Sequence, residues 1–244
     1  MIKPSSQFAF QGDLVVACAT KAEGILGRYS LTSDPEILAN RQRFFNQLGL
    51  ENKKISQLAP AFNNRLVVES YQPVISKVDA VITNQPDIFF TLLTADCIPL
   101  VLYEPKKKVL ALVHVGWRNA VGHLTTKVVA AMIKHYDVKP GEIYGYFGPA
   151  IEKKCYQQRG GRSWLKAGWF LFSGNQRFCQ RVKGSFLFDI KAAALAQLQK
   201  AGVPASQIEV SLYCTACQPD LFPSNFREGR RRQSSIITVV GRRT

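Results

Sequence analysis

Apolar runs rich in β-branched residues recur along the chain, separated by short polar breaks. They fall at Leu14–Ala19, Arg65–Glu69, Val78–Thr83, Phe89–Thr94, Ile98–Tyr103, Val109–Val115, Ile143–Phe147, Ile208–Tyr213 and Ser235–Val240, and each predicts a strand. Several are apolar at nearly every position, the pattern of strands covered on both faces. Three stretches switch to helical spacing. The first, about Asp34–Leu48, opens with Ser33 or Asp34 as cap and Pro35 in its first turn, and closes at Gly49. It places Ile37, Arg41, Phe44 and Leu48 on one face. The second covers about Asn119–Tyr136, with Val121, Leu124, Val128, Val129 and Met132 as its stripe. The third runs from a cap at Asp189 to Ala201, where Gly202 and Pro204 stop it. Between them, Gln157–Gly184 is dominated by Gly, Arg, Lys and Gln and reads as a long basic loop. Strands and helices alternate without a strict βαβ rhythm, which predicts an α+β fold of mixed β-sheets flanked by helices. At 244 residues one core suffices, so the expectation is a single domain over residues 1–244.

Composition narrows the classes. No stretch approaches the roughly 20 apolar residues of a membrane-spanning helix, and MIKPSSQFAFQGD lacks the apolar core of a secretion signal. The chain is therefore expected in the cytoplasm. Six cysteines without framework spacing argue for reduced thiols. Only Cys214 and Cys217 form a C-x-x-C pair, and without a second pair its spacing reads as incidental. The formal charge of +15 is carried by the second part of the chain: residues 1–100 hold nine basic and nine acidic side chains, residues 101–244 hold 23 and eight. Clusters such as Lys106-Lys107-Lys108 and Arg230-Arg231-Arg232 suit phosphate groups. No helix-turn-helix, zinc-finger or RNP pattern accompanies them, so nucleic acid is not expected as a partner.

Two segments carry unusual chemistry at strand ends. Thr94-Ala95-Asp96-Cys97-Ile98-Pro99 sets a carboxylate and a thiol between two apolar runs, and His114-Val115-Gly116-Trp117-Arg118 ends another with an imidazole, an indole and a guanidinium. If Ile98–Tyr103 and Val109–Val115 form a hairpin turning at Glu104–Lys108, Cys97 comes close to His114. A thiolate beside an imidazole serves either as two ligands of a zinc ion, which needs a third protein ligand, or as a nucleophile activated by the imidazolium. Asp96 is a candidate to orient the imidazole or act as base in either scheme.

Asp34-Pro35-Glu36 with Asn40-Arg41, Asp79-Ala80-Val81-Ile82-Thr83, the Ala95-Asp96-Cys97-Ile98-Pro99 and His114-Val115-Gly116-Trp117-Arg118 segments, Gly148-Pro149-Ala150-Ile151 and Cys214-Thr215 occur in the order of the YfiH-like laccase-domain family. The chain resembles that family over nearly its whole length. The resemblance implies a zinc-binding enzyme that splits adenosine or inosine with phosphate, cleaves methylthioadenosine or deaminates adenosine; separately, a monomer or weak homodimer is expected. An older polyphenol oxidase label and a role in editing peptidoglycan precursors also attach to the family. Its fold is similar to that of a toxin whose Cys-His pair deamidates glutamine. By position, Cys97 and His114 match two of three metal ligands, and Arg118, Arg41 and Arg227 are the candidate substrate-binding residues. The third ligand, a histidine in a Q-V-H-G segment, has no counterpart: the region reads Val68-Glu69-Ser70-Tyr71-Gln72-Pro73-Val74. Three alternatives follow: a residue within Glu69–Gln72 completes the site, the Cys-His pair works without metal, or the chain binds without turnover. Oxidase chemistry is the least expected, because three histidines are too few for copper clusters.

Overall fold

The computed structural model describes residues 1–5, 12–27, 34–68, 71–229 and 235–244. The expected cap Ser33, the candidate ligand Glu69 and the basic run Arg230–Arg232 lie outside them. Fourteen strands and six α-helices follow along the described chain. The strands β1 (Leu14–Cys18), β2 (Lys54–Ala59), β3 (Leu66–Val68), β4 (Val74–Ser76), β5 (Ala80–Thr83), β6 (Ile88–Thr94), β7 (Ile98–Glu104) and β8 (Val109–Val115) come largely before the helical half, with α1 (Pro35–Gln47) between β1 and β2. The short α2 (Trp117–Val121) and longer α3 (Leu124–Tyr136) precede β9 (Tyr144–Phe147) and β10 (Gln157–Arg159). Then come α4 (Gly161–Phe172), β11 (Cys179–Val182), β12 (Ser185–Phe188), α5 (Ile190–Lys200), β13 (Ile208–Val210), α6 (Asn225–Glu228) and β14 (Ile236–Arg242).

Two large mixed sheets dominate. One has the order β1-β14-β6-β2-β4, the other β13-β9-β7-β8-β5-β3, and β10-β12-β11 make a third, smaller sheet. Their pleat explains the nearly unbroken apolar runs. Along β8, Val109, Ala111, Val113 and Val115 pack with Leu124, Val128, Met132, Ala194 and Leu198 of α3 and α5. Leu110 and Leu112 point the other way, onto Val16, Leu58, Phe90 and Leu92 of the five-stranded sheet. The outer face of that sheet, including Ala17, Phe89, Ile237 and Val239, is covered by Phe44 and Leu48 from α1 and its end. The layers are thus helix, sheet, sheet, helix. The expected α+β class with mixed sheets holds. No helix among the described residues is long and apolar enough to cross a membrane.

Three expectations are corrected. The segment 157–184 is not a loop: it folds into β10, α4 and β11, because Phe170 of α4 is buried in the main core beside Phe186 and Phe188, with Ala167 packed against them. The helix expected over Asn119–Tyr136 is two helices, broken where Gly122 is followed by His123 in left-handed conformation (φ 54°). Strands β2 and β4 were not foreseen; each carries only a few buried side chains, with Ser56 and Leu58 the buried ones in β2. Asp34 is the cap of α1, accepting from Glu36 N at 3.0 Å.

Candidate active site

Strand register assembles the site. β7 and β8 form the expected hairpin, with Pro99 opposite His114 and Ile98 opposite Val115. β5 runs antiparallel on the other side of β8 with Ala80 opposite Val113, which brings Asp79 opposite His114, and His114 N donates to Asp79 O at 2.7 Å. Side chains alternate faces along a strand. Asp79 therefore shares its face with Val81, and His114 with Leu112, the face between the two sheets. At the open end of that seam the three groups line up.

The imidazole of His114 is buried, 3% exposed. Its Nδ1 lies 3.2 Å from Asp79 Oδ1, and Cys97 is close enough to act on its proton affinity. Burial alone would lower its proton affinity; the charge on Cys97 and the bond to Asp79 outweigh that and raise it to about 9. Asp79 is fully buried, which would push its carboxyl up, yet His114 and backbone amides hold it below the usual carboxylate range. Those amides come from Phe62 at 3.0 Å, Asn63 at 2.7 Å and Asn64 at 2.8 Å. Phe62 and Asn64 sit at positive φ (58° and 62°), a turn that wraps three N–H donors around one carboxylate. The Phe62 ring then meets the His114 ring edge to face at 4.8 Å, closing the imidazole from that side.

Cys97 lies in front of this pair. Gly116 faces its sulfur: a Cβ there would lie 3.2 Å from Cys97 Sγ, so the missing side chain keeps room for the thiol. Cys97 opens onto a cavity of about 550 Å³ lined by Phe62, Asp96, Trp117, Arg118, Tyr156 and Phe226 among others. The guanidinium of Arg118 lies over the Trp117 ring at 4.5 Å. His114 does not line this cavity; it borders a separate recess of about 70 Å³ between the sheets, with Gln57 and Phe62. The sulfur is therefore the member of the chain that meets solutes.

The other expected site residues take different positions. Asp96 lines the cavity at φ 82°, and its carboxylate accepts from Thr215 Oγ1 and Phe226 N, both at 2.7 Å. The imidazole's carboxylate is Asp79, which corrects the role expected for Asp96. Arg41 lies away from the Cys97 cavity: it donates to Leu26 O at 2.5 Å and Gln57 Oε1 at 2.9 Å. Arg227 turns inward and donates to the carbonyls of Thr215, Ala216 and Phe222 at 2.8–3.0 Å and pairs with Glu228. The Lys106–Lys108 run sits at the far turn of the β7–β8 hairpin, where Lys106 and Lys107 pair with Glu142 and Asp137.

One buried residue was missed altogether. Lys166 of α4 donates to Tyr156 Oη at 2.7 Å and Gln158 Oε1 at 2.5 Å, beneath the Trp117, Tyr156 and Phe188 rings at 4.7–4.9 Å. Burial first, and Arg118 second, lower its amine to about 8. A lone lysine in a segment read as basic loop gave no sign of this.

Cys97 and His114 do not fit zinc as they stand. A site needs at least three protein donors, and among the described residues no other His, Cys, Asp or Glu ligand atom joins these two in a group of that size. Nδ1 of His114 already faces Asp79. Of the expected substitutes, Tyr71 lies 5.8 Å from Lys54 Nζ through its ring centre and is absent from the cavity lining.

Comparison with known proteins agrees with this architecture. The structure of the hypothetical protein YfiH from Bacillus licheniformis superposes with a TM-score of 0.84 at 21% identity, covering 94% of this chain and 93% of that one. YlmD from Geobacillus stearothermophilus gives 0.84 at 24% identity, covering 98% and 94%. In sequence, the purine nucleoside phosphorylase YlmD of Bacillus subtilis is 29% identical over 171 residues, 70% of this chain and 61% of that protein. The adenosine deaminase RL5, from an unknown prokaryotic organism, is 31% identical over 166 residues, 67% of this chain and 62% of that protein. The matched part of the chain thus spans about three fifths of the length of these relatives. The family model described as multi-copper polyphenol oxidoreductase laccase matches residues 26–241, a span holding Asp79, Cys97 and His114 and every strand of the sheet that carries them, and the chain belongs to that family.

Proposed function

We propose that the Cys97 cavity is the catalytic site of a purine nucleoside enzyme of the phosphorylase or deaminase type, taking adenosine, inosine or methylthioadenosine, with phosphate as co-substrate. One arrangement carries the reading: the Cys97 sulfur and the Arg118 guanidinium open onto the same cavity, among the Phe62, Trp117, Tyr156 and Phe226 rings, with His114 and Asp79 behind the sulfur. Aromatic rings suit the flat face of a purine, and an arginine suits phosphate. The names of the relatives support the same substrate class.

In phosphorolysis the bond from ribose C1′ to the base nitrogen breaks, a phosphate oxygen bonds to C1′, and the base leaves with a proton. His114 is too deep to reach the base, so Cys97 relays a proton from His114, whose charged form Asp79 stabilises, to the leaving base, and the hydrogen phosphate that bonds to C1′ gives up the matching proton, which returns to His114 through the same sulfur. Asp96, at the cavity wall, keeps the Thr215 and Phe226 segments in place. Arg41 and Arg227 support the wall from within. The residues do not fit the copper of the family's name: of the three histidines, His114 is taken up as described, His123 bonds Ser173 O at 2.9 Å, and His135 lies exposed in the last turn of α3.

The test is product chromatography with purified protein, each nucleoside and phosphate. Adenine or hypoxanthine, or inosine from adenosine, is expected, and none from Cys97→Ser. No product at high enzyme concentration contradicts the proposal. A second reading is favoured by the completeness of the Cys97–His114–Asp79 chain without metal: a thiol hydrolase or amidase, including one acting on peptidoglycan precursors. There the sulfur bonds to a carbonyl carbon, the amine leaves with the proton held by His114, and water then releases the acid. A covalent adduct on Cys97 seen by intact mass with amide substrates, and no nucleoside cleavage, selects it.

A further inference from the structure

A second group of thiols lies outside this chemistry. Cys214 and Cys217 sit on a turn closed by Gln218 N donating to Cys214 O at 3.2 Å. Cys155, distant in sequence, meets them: its sulfur lies 2.8 Å from Cys217 Sγ, and all three sulfurs fall within 4.8 Å of one another. The C-x-x-C pair that looked incidental in sequence is therefore completed by a third thiol from another turn. Cys214 is buried and Cys217 exposed, so the group has a protected base and an open side. Cys214 Sγ accepts the backbone N–H of Glu152 at 3.4 Å and is approached by those of Cys217 and Ala216. Backbone N–H groups aimed at a sulfur favour its thiolate form. Lys154 and Lys191 bring positive charge to the same neighbourhood.

We infer that Cys155, Cys214 and Cys217 form a three-thiolate site for a thiophilic divalent cation of the zinc class, separate from the Cys97 centre. Thiolates at about 2.3 Å from a tetrahedral ion stand roughly 3.8 Å apart, so the ion fits with Cys155 and Cys217 drawn apart by about 1 Å. Solvent on the Cys217 side supplies the fourth ligand. Binding exchanges the thiol protons for the cation, with no change of oxidation state. The consequence reaches the cavity, because both turns feed its wall. Tyr156, next to Cys155, lines it, and Thr215, next to Cys214, donates to Asp96. Arg227 clasps the carbonyls of Thr215 and Ala216 from behind. The ion staples the 152–156 turn to the 214–218 turn and fixes that wall. This inference goes beyond the proposed catalytic reading and does not depend on it.

The test uses the whole chain, reduced, stripped of metal and titrated with Co²⁺, whose near-ultraviolet sulfur-to-metal absorption reports thiolate ligation. One equivalent is expected in the native protein and in Cys97→Ser, with the absorption lost in Cys217→Ser. Circular dichroism verifies that this last variant, altered at an exposed position, remains folded. Should Cys217→Ser fail to fold, Cys155→Ser serves in its place. No absorption in the native protein, or absorption that disappears with Cys97, overturns the site. So does a Cys155–Cys217 disulfide that mass spectrometry still finds after reduction and refolding. Nucleoside turnover plays no part in the readout, so its absence leaves this result standing.

Discussion

The two sulfur centres use the same element in opposite company. At Cys97 a single thiol is backed by a buried imidazole and a buried carboxylate, and it faces a cavity lined with rings. At Cys155, Cys214 and Cys217 three thiols face one another with backbone N–H groups and, among the described residues, no imidazole in the group. The first arrangement moves a proton or attacks carbon. The second holds a soft cation. The difference teaches that a cysteine's role is set by what the fold places behind it: strand register at the first centre, and the meeting of two turns at the second.

Substitutions separate the two. Cys97→Ser is expected to have the largest effect, lowering turnover by at least about 10³-fold, since the group that meets substrate is removed; steady-state rates check it, and near-native activity breaks the contrast. His114→Ala follows, with a loss of about 10²–10⁴-fold. Asp79→Asn comes next and acts on stability as well. The asparagine cannot accept from all three amides of Phe62, Asn63 and Asn64 as the carboxylate does, and the imidazolium loses its counter-charge, so unfolding by urea should show a cost of about 3 kcal/mol. Asp96→Asn should be milder, about tenfold in rate, because an amide oxygen still accepts from one of its two partners. Smallest is Cys217→Ser in metal-free protein, for which unchanged turnover is expected.

The pH dependence has a definite sign. His114 gains proton affinity on folding, from the ordinary 6.5 to about 9, so its charged form stabilises the folded state. That contribution is complete below about pH 6.5 and is lost as pH rises through about 9, an amount on the order of 3 kcal/mol. Urea unfolding of the native protein and His114→Gln should therefore differ most at the acid end of this window and converge above it. A difference that grows with pH contradicts the Asp79–His114–Cys97 chain.

Much of this was legible in the sequence, for physical reasons. Strands covered on both faces announce themselves as unbroken apolar runs, and the turn at Glu104–Lys108 fixes the β7–β8 register closely enough to pair Cys97 with His114. Asp79 was visible only as the first residue of a motif. Its role depends on β5 lying beside β8, a long-range pairing that local patterns do not encode, and so the nearer Asp96 drew the assignment instead. Lys166 was hidden because α4 leaves Trp164, Leu165, Trp169 and Phe172 exposed, which spoils the apolar stripe that marks a helix. Arg41 and Arg227 show the converse: both are expected to bind substrate, yet the structure turns them to main-chain carbonyls, Gln57 and Glu228. The Cys155 cluster required two turns far apart in sequence to meet, which spacing within one segment cannot reveal.

The most direct test of the central claim is the rate at which iodoacetamide alkylates Cys97, followed by peptide mass mapping between pH 6 and 9 in the native protein and in His114→Ala. Cys97 is expected to react ahead of the buried Cys18 at neutral pH and to slow markedly once His114 is removed. Equal rates in the two proteins across that range would contradict it.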